Sequence, residues 1–140
     1  MKNKKFKILV SLDGSKNALR GLKFAVNIAK QSSATIIGLN VISSPIFLKK
    51  SSKIKNESIR KSNQIIKQAK MTTQDAGVSF TGTSKVSTNI GKTIVAFAEK
   101  NKADMIIIGS RGPNPEIEMF LGSVANYVVN KSKIPVTIVK

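Results

Sequence analysis

The chain has 140 residues, just under the length of roughly 150 typical of one domain, and is expected to fold as one domain over residues 1–140. It holds no Cys and no His, which excludes a disulfide framework, thiol or zinc-ribbon chemistry, and the usual neutral-pH general base. Lys and Arg number 24 against 7 Asp and Glu, a formal charge of +17, while hydrophobic content is 41%; that balance places the cations on a folded surface rather than on a disordered tail.

Phe6–Ser11 is a short apolar run rich in β-formers, as expected of a strand covered on both faces. Basic residues precede it, but Lys7 and Ser11 interrupt the run and no small-residue cleavage site follows, so it does not read as a secretory leader. No stretch approaches the ~18 apolar residues of a membrane span. A cytoplasmic protein without a transmembrane segment is expected. Asp13-Gly14-Ser15 supplies turn and capping residues. A helical stripe of Leu19, Leu22, Phe24, Ala25, Val26, Ile28 and Ala29 follows, with Lys16, Arg20, Lys23 and Lys30 on the other side. Ala34–Ile42 is a second strand, ended by Ser43-Ser44-Pro45.

Residues 49–76 are polar and basic, with Ile54, Ile59, Ile65, Ile66 and Ala69 spaced for one narrow apolar helix face. Gly77 suits a C-terminal stop, and Val78–Ser87 reads as a third strand. Ile90–Asn101 is a helix with Ile94, Val95, Phe97 and Ala98 inward. Met105–Ile108 is a fourth strand, followed by a loop of three glycines and two prolines, a helix from about Gly122 to Lys131, and a last strand over Ile134–Val139. Strands alternating with helices of this length imply an α/β protein: a single open, mostly parallel five-stranded sheet with helices on both faces. Ligands in such sheets bind beyond the C-terminal strand ends at the switch point, here between the first and fourth strands. Ser11–Ser15 and Gly109–Ser123 are therefore the informative loops.

Gly109 ends the fourth strand, Gly112 follows three residues on, and Gly122-Ser123 opens the last helix. Glycines allow close backbone approach to an anion, and a helix N-terminus offers unpaired N–H groups and a positive dipole end. Together they could cradle a di- or triphosphate. The same residues could equally serve a plain turn and a helix start.

These residues carry a family resemblance. The segment ADMIIIGSRGPNPEIEMFLGSVANYVVNKSKIPVTIVK, with ILVSLDGSKNALRGL at the start and Asn40-Val41-Ile42 at a strand end, resembles the universal stress protein family. Nucleotide-binding members of that family carry G-x2-G-x9-G-[ST], and Gly109, Gly112, Gly122 and Ser123 match every position. The resemblance implies a Rossmann-like fold of the adenine nucleotide alpha hydrolase type and an adenine nucleotide, ATP or AMP, as ligand. It would set Asp13 beside the adenosine and offer the Val41 backbone to the adenine edge. Gly109, with its neighbours Ser110 and Arg111, would pass the ribose. Gly112, Gly122, Ser123 and Val124 would hold the phosphates. Any metal would be magnesium carried by those phosphates. Ser11 stands where the family often has Pro or Ala, and its hydroxyl would bond the ribose or cap the strand end. Pro113–Glu118 replaces small and basic residues usual in this loop, and Glu116 and Glu118 would repel a polyphosphate unless they face solvent or share a divalent cation.

Gly91-Lys92-Thr93 ends like a Walker A loop, but its first glycine is replaced by Val86, so it reads as a helix start. Asp13 lacks the paired acids of a metal-assisted phosphoacceptor. Lysines crowd residues 49–70 and the N-terminus, a density suited to a solvated face, to non-specific nucleic-acid association or to an anionic membrane surface. Three Arg and 5% aromatics argue against base-specific reading. The expected function is an adenine-nucleotide-binding regulatory protein of the universal stress type with little or no turnover and no catalytic residue. A slow ATPase on the same site, or a basic nucleic-acid-associated protein with a vestigial loop, are the alternatives. The apolar last strand, Ile134–Val139, is expected at a sheet edge, where it would pair in a homodimer.

Overall fold

A computed structural model describes residues 4–43, 52–111 and 121–140. Strands and helices alternate throughout these residues: β1 (Lys7–Ser11), α1 (Lys16–Ser32), β2 (Thr35–Ser43), α2 (Ser52–Asp75), β3 (Phe80–Ser87), α3 (Ile90–Lys100), β4 (Met105–Gly109), α4 (Ser123–Lys131) and β5 (Val136–Val139). The sheet order is β3-β2-β1-β4-β5, and all four pairings are parallel. The chain thus builds outward from β1 in one direction, then returns to β1's other side for β4 and β5. That reversal is the switch point.

Each sheet face carries two helices. Leu22, Ala25 and Ala29 of α1 and Ala69 of α2 pack against Ile8, Val10, Ile36 and Ile107. Ile94, Phe97 and Ala98 of α3 and Ala125 and Val128 of α4 pack against Leu9, Leu39, Ile106 and Ile108. Successive residues of β1 and β4 serve opposite cores, which explains why these strands read as unbroken apolar runs.

The helix faces are narrower than their hydrophobic patterns suggest. Leu19 and Phe24 of α1 are exposed, because Ala18 and Gly21 take the inward places. A Cβ on Gly21 would already lie 3.2 Å from Ile107 Cγ2, so a larger residue there would push α1 off the sheet. Ile54 and Ile59 of α2 are also exposed; the buried residues of that helix begin at Ser62. Gly77 ends α2 as expected, at a left-handed φ of 69°. The third strand begins at Phe80, two residues later than the pattern suggested. Ser15, not Asp13, caps α1: its hydroxyl accepts from the Ala18 N–H at 3.1 Å.

β5 lies at a sheet edge. The Ile106 N–H donates to Pro135 O and the Ser110 N–H to Val139 O. Odd-numbered peptide groups of β5 therefore face β4, and by alternation those of Val136 and Ile138 face outward.

Candidate functional site at the switch point

The site follows from unequal strand lengths. β1 stops at Ser11, paired with Leu39, while β2 continues to Ser43 with β3 alone beside it. The Thr35 N–H donates to Phe6 O and the Leu12 N–H to Leu39 O, whereas the Ile36 N–H turns the other way, to Ser79 O. Odd-numbered peptide groups of β2 thus face β1. At Val41 that side has no strand left, so its N–H and C=O edge borders open space.

This space is a cavity of about 590 Å³. Ser11, Leu12 and Asp13 form its β1 side, and Asn40 to Ser43 the end of β2. Gly109, Ser110 and Arg111 follow from β4, facing Gly122, Ser123 and Val124 at the start of α4. Every described residue that the sequence singled out is on this wall. Gly112, Glu116 and Glu118 lie outside the described residues.

Local bonds fix the two halves of the glycine loop. The Gly122 N–H donates to Ser110 O at 2.7 Å, and the Asn17 side-chain amide donates to Ser110 Oγ at 3.1 Å. α4 begins with the Asn126 N–H bonded to Gly122 O, so the N–H groups of Ser123, Val124 and Ala125 have no carbonyl in their own helix. All three residues border the cavity. Gly109 lacks a side chain for a packing reason: its Cβ would sit 2.8 Å from Asn17 Cβ and 3.2 Å from the Ala18 nitrogen. The start of α1 presses directly on the end of β4.

Asp13 turns back on its own loop, where Oδ1 accepts the Ser15 N–H at 2.9 Å. Lys61 and Arg111 are the cations on the wall. Among the described residues no three His, Cys, Asp or Glu side chains gather as a metal site.

Helix α2 supplies a wall that the sequence did not announce. Ser58, Lys61 and Ile65, spaced by three and four residues, border the cavity, and Ile90 of α3 joins them. A buried chain of polar groups anchors this wall. The Asn40 amide donates to Leu12 O at 2.6 Å, the Ser62 hydroxyl donates to Asn40 Oδ1 at 2.6 Å, and Ser84 Oγ lies 2.6 Å from the Ser62 hydroxyl. With the Ser62 proton given to Asn40, Ser84 is the donor in the last bond. The helical spacing of 58, 61 and 65 was visible in the sequence; its position over the switch point was not.

An open parallel sheet whose order reverses at β1, with its cavity beyond the strand ends there, defines a doubly wound α/β protein. The model of the universal stress protein family matches residues 6–140, and the chain belongs to that family. Universal stress protein MJ0531 of Methanocaldococcus jannaschii is 32% identical over 139 residues, covering 96% of this chain and 81% of its own. The solved structure of protein MJ0577 superposes with a TM-score of 0.86 at 29% identity, covering 96% of this chain and 95% of that one. A universal stress protein solved in complex with cAMP gives a TM-score of 0.73 at 25% identity, with 98% of each chain covered.

Proposed function

We propose that this chain binds an adenine nucleotide, ATP or AMP, in the switch-point cavity and acts as a nucleotide-dependent regulator with little or no turnover. One observation carries the proposal: the free peptide edge of Val41 and the unbonded N–H groups opening α4 border the same cavity. The first suits the hydrogen-bonding edge of a base, the second an anion. A volume of about 590 Å³ lies within the range of roughly 300–1,000 Å³ common for small-molecule sites. The relative that holds cAMP lends support, because its ligand has the same two parts.

In this proposal Asp13 and Ser11 flank the ribose, and Gly109, Ser110 and Arg111 lead from it towards the phosphates. Gly122, Ser123 and Val124 receive the phosphates, with Gly112 completing the loop. Magnesium, where present, arrives with the phosphates. Low turnover follows from the chemistry of the wall: Asp13 is the carboxylate there among the described residues, it is engaged with the Ser15 N–H, and the chain has no His. Residues 1–140 act as one domain in the cytoplasm; among the described residues no helix is long and apolar enough to cross a membrane. The protein pairs through β5, whose outward peptide groups at Val136 and Ile138 add strand to strand across a two-fold axis. Phe24 is 45% exposed and shares a groove with Thr137, Ile138 and Val139 beside that edge, so pairing would also cover it.

Calorimetric titration with ATP and AMP tests the site. Gly122 has φ −67°, which valine accepts, so Gly122→Val should fold and block the phosphates with its branched side chain. Unchanged affinity in the folded variant would remove the glycine loop from the site.

A further inference from the structure

The fold sorts the chain's charge onto one of its two helical layers. In α1, Lys16, Arg20, Lys23 and Lys30 recur at steps of four, three and seven, half a turn round from the buried Ala18, Leu22, Ala25 and Ala29. In α2, Lys53, Arg60 and Lys67 fall one heptad apart, opposite the buried Ser62, Ala69 and Thr73. All seven are exposed in the single chain; Arg20 and Lys23 also line the groove beside β5 that strand pairing would cover. Each series spans about 21 Å at 1.5 Å per residue. Both helices pack on the same sheet face, and the groove between them is lined by Lys16 from one side and Lys61, Gln64 and Gln68 from the other.

Acids do little to offset this field. α1 carries none, and α2 carries Glu57, which lies 3.9 Å from Arg60, and Asp75 in its last turn. The helices of the opposite layer carry fewer charges, Lys92, Lys100 and Lys131 against Glu99.

From this sidedness we infer that the α1–α2 face is a docking surface for the phosphate backbone of duplex nucleic acid, bound without base reading. Two parallel rows of point charges match a polymer that repeats its anionic charge along its length. Five of the seven outward cations are Lys, which meets phosphate as a point charge, and side-chain amides of Asn27 and Gln64 sit in the same rows. Leu19 and Phe24 of α1 and Ile54, Ile59 and Met71 of α2 are exposed, but they are scattered round their helices as single side chains, so the face offers no continuous apolar stripe for insertion among lipids. The inference is independent of the nucleotide proposal, since the seven outward cations lie outside the cavity wall.

Two triple variants of equal charge provide the test. Lys30→Gln with Lys53→Gln and Lys67→Gln alters the face; Lys92→Gln with Lys100→Gln and Lys131→Gln alters the opposite layer. Thermal melts confirm that both are folded. Fluorescence anisotropy with a labelled random duplex of about 25 base pairs is followed across salt concentrations. Wild type should bind at low salt. The face variant should lose at least tenfold in affinity and show a log–log salt slope shallower by up to about 2.7, from roughly 0.9 for each phosphate contact removed. The opposite-layer variant should stay within twofold of wild type. Equal losses in the two variants would reduce the effect to net charge and overturn the assignment. So would a wild type that ignores the duplex at low salt, or one that prefers vesicles containing phosphatidylserine and loses them with the face variant.

Discussion

Replacing Asn40 should be among the most damaging single changes at the site, although Asn40 need not touch a ligand. Its side chain is 6% exposed, donating to Leu12 O and accepting from Ser62, both at 2.6 Å. Asn40→Ala leaves the Leu12 carbonyl without its side-chain donor, while Ser62 can still bond Ser84. One stranded buried acceptor costs roughly 1–3 kcal/mol, and the lost packing adds about 1 kcal/mol. The total of about 2–4 kcal/mol corresponds to a fall in Tm on the order of 10 °C for a chain of this length. Ser62→Ala strands Asn40 Oδ1 and should cost about 1–2 kcal/mol. Because both changes break the same bond, the double variant should be milder than their sum by about 0.5–2 kcal/mol. Urea unfolding of wild type, the two single variants and the double variant measures the cycle. The chain also ties α2 to the ends of β1 and β2, so ATP affinity should fall in Asn40→Ala as Ser58 and Lys61 lose their anchor. A loss below about 0.5 kcal/mol for Asn40→Ala, or strict additivity, would refute the network.

Three further outcomes are expected. Gly109→Ala should destabilise the fold by about 1–3 kcal/mol in denaturant titration, because its methyl group would meet Asn17 Cβ at 2.8 Å and the backbone nitrogen of Ala18 at 3.2 Å. Lys61→Gln should weaken ATP by about three- to tenfold in calorimetry with Tm unchanged, since its side chain is exposed and borders the cavity. By light scattering wild type should be a dimer and Val136→Lys combined with Ile138→Lys a monomer; a monomeric wild type, or a double variant as dimeric as wild type, would move the interface away from β5.

Element order and strand direction were legible because β1 and β4 are buried on both faces and their apolar runs are uninterrupted. The strand order placed the cavity by topology, and the glycine spacing picked out the end of β4 and the start of α4 that border it. What the residues concealed is tertiary. Leu19, Phe24, Ile54 and Ile59 fit an apolar helical pattern, yet the sheet reaches only the small residues and the lower turns beside them. Asp13-Gly14-Ser15 offers its capping residues in a run, and only the bond geometry gives that role to Ser15. The α2 wall and the Asn40–Ser62–Ser84 chain join residues up to 44 positions apart in sequence, since Asn40, Ser62 and Ser84 meet only once β2, β3 and α2 are packed. Polar residues in a lysine-rich helix carry no sign of which one is buried.

The central claim is that one cavity receives the base at Val41 and the phosphates at the start of α4. Amide chemical-shift mapping of the isotopically labelled protein during ATP titration tests it most directly. The N–H signals of Val41, Ser123, Val124 and Ala125 should shift together, with one saturation curve, and adenosine alone should move Val41 while leaving the α4 signals near their starting positions. Shifts confined to the α1–α2 face, or none at Val41 when ATP saturates, would contradict it.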